Sequence, residues 1–201
     1  MTTAQHDPRP LFRSALEWAG DLFAGVRPEQ MTDPTPCPEF DVRTLLGHLA
    51  STVDRGRVIG MGGDVHSVPE VLASPDDAWP STLDTVTARY WEVWDDDALL
   101  DRPVTAPWGT FPGRAAVLVS LNEVLVHGWD LAVATGQNPE TDPALARAAH
   151  EIMERALPAS PRGGEVPFGP VVDSTPDAGP TERLANWCGR VTAPWMRPGD
   201  A

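Results

Sequence analysis

The sequence predicts an all-α protein with long connections, and three observations carry that reading. Apolar residues recur at helical spacing in five separate stretches. The longest, from Arg114 to Gly136, has no internal proline. The 22 prolines and 17 glycines concentrate between these stretches, where they end helices and form loops. At 201 residues the chain suits one domain with a single sizeable core. The helices span about 8–157, and a Pro- and Gly-rich tail spans 158–201.

The first helix is expected from about Pro8 to Val26, capped by Asp7. Its apolar face is Leu11, Phe12, Ala15, Leu16, Ala19, Leu22 and Phe23. The proline-punctuated stretch RPEQMTDPTPCPEF ends it. Asp41 is the expected N-cap of a second helix, DVRTLLGHLASTVDRGRVIG, with Val42, Leu45, Leu46, Leu49 and Val53 buried. His48 falls on or beside that inward face. A lone histidine there is more often a hydrogen-bonded core residue than a ligand.

Residues 61–80 read as a loop-rich connection with a short helical turn around 69–73 and a solvent-facing His66. Ser81 is expected to cap a third helix, TLDTVTARYWEVWDD, whose Leu83, Val86, Tyr90, Trp91 and Trp94 pack inward. The segment 101–112 reads as a rigid lead into the longest helix, its Trp108 and Phe111 either walling a pocket or covering the bundle end. Gly136 is placed to close that helix in a left-handed cap. Arg114 at its start opposes the helix dipole, which makes it a candidate for facing an anionic ligand group. Asp142 caps a fifth helix, PALARAAHEIMERAL. In the tail, VPFGPVVD reads as extended and TERLANWCG as a short helix docked across the bundle.

The formal net charge is −14 with no basic cluster, which argues against a nucleic-acid partner. No run of 18 apolar residues suggests a membrane span. The stretch MTTAQHDPRP lacks a signal-peptide layout, so a cytoplasmic location is expected. Cys37 and Cys188 form no C-x-x-C pair, and no disulfide is expected between them. No nucleophile elbow, phosphate-binding loop or dinucleotide fingerprint is present.

The best chemical candidates lie on the longest helix. At about 100° per residue, Glu123 to His127 advances about 40°, and Glu123 to Asp130 returns to about −20°. All three project from one narrow stripe bordered by Leu121, Val124, Leu125 and Leu131. A surface Glu–His pair four residues apart is common and worth a few tenths of a kcal/mol. Buried acid and imidazole groups instead need a partner or a metal. With His48 on a facing helix, Glu123 and His127 complete the three N/O ligands that a divalent metal site with an open position needs.

PTPCPEFDVRTLLGHLA (34–50) and NEVLVHGWDLAVATG (122–136) together resemble the DinB-like metalloprotein superfamily. The likeness is to its actinobacterial branch, related to the mycothiol-dependent maleylpyruvate isomerase N-terminal domain. The tail FGPVVDSTPDAGPTERLANWCGR is similar to the end of single-domain members. The resemblance implies a four-helix bundle holding one divalent metal on His48, Glu123 and His127. Zinc suits these ligands, while nickel, iron and manganese are compatible. Asp130 is the candidate catalytic residue, orienting a ligand or bound water. Arg55, Arg57 and Arg114 are candidate cofactor contacts, and Cys37 is expected to be structural.

The implied activity is that of a thiol-dependent S-transferase or isomerase acting on an electrophilic small molecule. Mycothiol would enter the open metal position and be held as thiolate. A metal-dependent hydrolase and a non-catalytic metal-binding protein are the alternatives. The expected partners are the substrate and the thiol, and the expected state is monomer or homodimer.

Overall fold

The computed structural model describes residues 7–164 and 168–196. Six helices follow in order: α1 (Arg9–Gly25), α2 (Val42–Met61), α3 (Trp79–Trp94), α4 (Gly113–Thr135), α5 (Pro143–Ala156) and α6 (Pro180–Trp187). One antiparallel hairpin, β1 (Pro103–Ala106) with β2 (Gly109–Pro112), precedes α4. The expected all-α class and four-helix bundle are what the chain forms. Helices α1 and α2 each pack against both α3 and α4. That arrangement sets α1 and α2 at opposite corners, so the connection through 26–41 crosses the end of the bundle.

Helix α1 buries Phe12, Ala15, Leu16, Ala19, Leu22 and Phe23, the stripe its periodicity predicts. Asp41 caps α2 by accepting the Thr44 N–H, and Asp142 caps α5 through the N–H groups of Ala144 and Leu145. Helix α4 ends on Gly136 with φ 70°, as expected. It is apolar around most of its circumference because it is the core helix, touched by α1, α2, α5 and α6. By length and composition alone α4 would pass for a membrane span, but 78% of that window is buried in the protein.

Several local expectations are corrected. Asp7 sits one residue before the cap position, held by Pro8, and its carboxylate accepts the Arg9 N–H at 2.9 Å. Helix α3 starts at Trp79 rather than after Ser81, because Pro80 pre-sets the first turn and Trp79 is drawn into the core. Ser81 is inside the helix, its hydroxyl donating to the Ala78 carbonyl. The helical turn expected at 69–73 lies instead at Val65–Ser67, where Asp64 accepts the His66 N–H. Residues 69–72 lie along α2: the Leu72 N–H donates to the Gly47 carbonyl at 3.0 Å, and the Ser51 hydroxyl to that of Pro69. His66 is exposed, as expected.

The segment before α4 pairs into the hairpin, with Val104 opposite Phe111. Trp108 stands 62% exposed at its turn, stacked on Phe111, so it walls no pocket. In the tail, α6 docks on α5 and α4 as the expected short helix. The Glu140 carboxylate receives its first free N–H groups, those of Thr181 and Glu182, at 2.9 and 3.1 Å. Of the expected extended piece, Val166 and Pro167 lie outside the described residues, and residues 168–173 form no regular element.

Candidate metal centre

Helices α2 and α4 run antiparallel: His48 lies against His127, and a turn or two along, Gly56 lies against Ser120. This pairing brings the two halves of the candidate site together. One donor atom from each of His48, Glu123 and His127 falls within 4.8 Å of the others. The His48 and His127 rings meet edge to face with centroids 4.9 Å apart, and His127 Nε2 lies 3.7 Å from Glu123 Oε2. His127 is buried, while His48 and Glu123 are half-buried, so the cluster has one side toward solvent. Phe40, from the loop before α2, covers the His48 ring at 5.0 Å.

The hydrogen bonds fix the tautomers. His48 Nδ1 lies 3.3 Å from the Glu70 carbonyl oxygen, and His127 Nδ1 lies 3.0 Å from Asp130 Oδ2. Both oxygens accept, so each Nδ1 carries a proton. Burial, and then the neighbouring His127, pushes the His48 imidazole down to about 4, which keeps it neutral. Asp130 has no exposed surface. Burial works against its ionisation, but the His127 hydrogen bond and the Arg190 guanidinium more than offset it and hold the carboxyl below its usual range.

The donor set fits a divalent ion. Bonds of about 2.0–2.2 Å place donors on one ion about 3–4 Å apart, and the donors here lie within 4.8 Å of one another. Two imidazoles, each with its Nδ1 against an oxygen, and one carboxylate are ligands of the right type.

Asp130, expected as a catalytic residue that orients a ligand or bound water, reaches His127 on one side and Arg190 on the other. Arg57 pairs with Asp54 at 2.6 Å, and Arg114 with Asp101. Arg114 also stands about 13 Å along α4 from Glu123, so the fold does not bring it to the cluster. Arg55 lies two turns along the His48 stripe of α2, near enough for its charge to be felt at that ring. Its Nε is buried without a hydrogen-bond partner.

Arg190 is the residue sequence reasoning missed. Its Nε and Nη2 donate to both Asp130 oxygens at 2.9–3.1 Å. It sits in the aperiodic tail, where only the quoted NWCGR segment marked it. Cys188, beside it, is buried, and its thiol donates to Asn122 Oδ1.

Residues 12–132 match the family model of the mycothiol maleylpyruvate isomerase N-terminal domain. Two uncharacterized proteins, from two strains of Mycobacterium tuberculosis, are each 28% identical over 185 residues, spanning 92% of this chain and 98% of theirs. The crystal structure of the mycothiol-dependent maleylpyruvate isomerase is similar with a TM-score of 0.54 at 15% identity. A histidine-to-alanine variant of it gives 0.56 at 14%. Each aligns over 73% of this chain and 68% of the other. At such identity the likeness speaks to the fold, the same helical bundle. The family match holds His48, Glu123, His127 and Asp130, and ends before the tail that supplies Arg190.

Proposed function

The chain belongs to the mycothiol maleylpyruvate isomerase N-terminal domain family, and from that membership and its donor cluster we propose a divalent-metal-dependent enzyme that uses a low-molecular-weight thiol. Mycothiol is the proposed thiol, and S-transfer to, or isomerisation of, an electrophilic small molecule the proposed reaction. The observation that carries the reading is the convergence of two imidazoles and one carboxylate, one donor atom of each lying within 4.8 Å of the others. His48, Glu123 and His127 would hold the ion, zinc by ligand preference. Bound there, the ion would supply Lewis acidity toward a thiol sulfur and favour its thiolate near neutral pH.

The protein's own thiols favour an imported nucleophile. Burial, and then the Glu123 charge, pushes Cys188 up to about 12, and burial raises Cys37. Neither is poised as a thiolate. Of the three arginines expected to contact the cosubstrate, Arg57 and Arg114 are engaged by aspartates, and Arg55 remains to meet an anionic group.

Cobalt(II) loading with a mycothiol titration tests the reading. Sulfur entering the inner sphere gives a charge-transfer band in the near ultraviolet and releases about one proton per site. The same titration of His127→Ala stays flat. Fully loaded protein that shows no band at millimolar thiol overturns the thiol reading, and a hydrolase or a structural metal then leads.

A further inference from the structure

The tail beyond the family match ends α6 in an unusually polar interior turn. Glu182, Asn186 and Thr192 are all buried there, and three such groups are costly unless they bond one another. The Thr192 hydroxyl donates to Glu182 at 2.6 Å, while Asn186 Nδ2 donates to Thr192 Oγ1 and to the Arg190 carbonyl at 3.1 and 3.0 Å. The Arg190 N–H donates to the Ala185 carbonyl at 2.9 Å. Gly189, at φ 93°, makes the reversal that an L side chain would resist. Two of these bonds, from Asn186 and to Ala185, hold the backbone of Arg190. Its side chain, 20% exposed, runs from that turn to Asp130, whose Oδ2 also meets His127 Nδ1 at 3.0 Å, while the direct approach of Arg190 Nη2 to that nitrogen is longer, 3.5 Å.

We propose that Arg190 is a positioning residue of the metal centre, acting through Asp130 to hold the Nδ1-protonated form of His127, and that docking of the tail is thereby coupled to metal binding. The inference rests on the metal-centre reading above. The forked guanidinium meets both carboxylate oxygens, which fixes the carboxylate's rotation as well as its charge. The carboxylate in turn fixes the ring whose Nε2 faces Glu123. Coupling between two binding events is reciprocal, so whatever the docked tail adds to metal affinity, the metal returns to tail docking.

Zinc affinity is measured by chelator competition for wild type, Arg190→Met, Asp130→Asn and the double variant, with His127→Ala as control. Arg190→Met is expected to weaken zinc about 10–100-fold, the usual effect of losing an outer partner of a metal ligand. In the Asp130→Asn background the same change adds less than about threefold, because its route is already cut. A structural role alone would give losses that multiply. Wild-type protein that binds no zinc overturns the metal reading and this inference with it. Wild-type protein that binds zinc while Arg190→Met binds it equally well overturns this inference alone. If Arg190→Met does not fold, amide exchange of the wild type decides. Zinc should slow exchange in 184–192 and leave the hairpin at 103–112 unchanged, and equal rates with and without zinc in 184–192 refute the coupling.

Discussion

His48 and His127 stand edge to face across the α2–α4 contact, ring centroids 4.9 Å apart, each with its Nδ1–H committed to a protein oxygen. One donor atom from each of His48, Glu123 and His127 lies within 4.8 Å of the others, a spacing that a cation between them would turn to binding. We therefore expect one divalent ion per chain. His48→Ala, Glu123→Ala and His127→Ala should each lose it while keeping their helical circular dichroism. Full metal content in any two of them refutes the ligand assignment.

Removing the metal should loosen the protein without unfolding it. The core, from Phe12 and Leu46 to Trp94 and Leu125, is continuous across all the bundle helices and does not depend on the cluster. An ion at a hundred times its Kd adds about 2.7 kcal/mol. For a chain of this size that corresponds to a melting shift of about 5–10 °C. A chelator should lower Tm by that order and leave the far-ultraviolet signal at 25 °C. Loss of helicity on chelation would contradict it.

The site was legible where it obeyed helical arithmetic. The stripe spacing put Glu123, His127 and Asp130 together, and apolar periodicity put His48 on the inner side of α2. What supports them was not legible. The acceptor for His48 is the backbone carbonyl of Glu70, which side-chain identity does not reveal. Arg190 follows a glycine turn in a tail without periodicity, so its orientation follows from the packing of α6. The hairpin strands, four residues each, are too short for alternation to stand out. The start of α3 was misplaced because a serine is the commoner cap, whereas Pro80 and the burial of Trp79 decided the first turn.

Cys188 should be protected in the native state. With its thiol pushed up to about 12, only about one molecule in ten thousand carries the thiolate at pH 8. Iodoacetamide should modify Cys188 only in denaturant, and equal rates in native and unfolded protein would refute its burial. The sign of the pH effect follows. The folded state holds this proton more tightly than the unfolded one, so the stabilisation is complete below about pH 8.5 and is lost as pH rises toward the folded value. Cys188→Ala should flatten the alkaline limb of the stability curve.

Glu140 latches the tail. Its two oxygens take the N–H groups of Thr181 and Glu182, the role of an N-cap supplied from outside the helix. Glu140→Ala should cost about 1–2 kcal/mol, the upper range for losing a cap. Urea unfolding measures it. An unchanged midpoint would mean that α6 docks by its apolar face alone.

Gly47 sets the distance between α2 and the segment that serves His48. A Cβ built on it would lie 2.4 Å from the Leu72 carbonyl oxygen and 2.7 Å from a Val71 methyl, closer than such atoms approach. The nearer obstacle is backbone, so it cannot swing aside as a side-chain end would. That same backbone is bonded to α2 at Gly47 through the Leu72 N–H, at Ser51 through the Pro69 carbonyl, and at His48 through the Glu70 carbonyl. Gly47→Ala must therefore lift residues 69–72 and withdraw the acceptor that holds His48 Nδ1. Overpacking of this kind costs about 1–3 kcal/mol, partly offset because alanine favours the helix by up to about 1 kcal/mol. Zinc affinity should fall together with stability. The control is Gly20→Ala on α1, where a Cβ meets nothing within 4 Å and the helix should gain slightly. If Gly47→Ala matches that control in both melting temperature and zinc affinity, the 69–72 segment does not position His48.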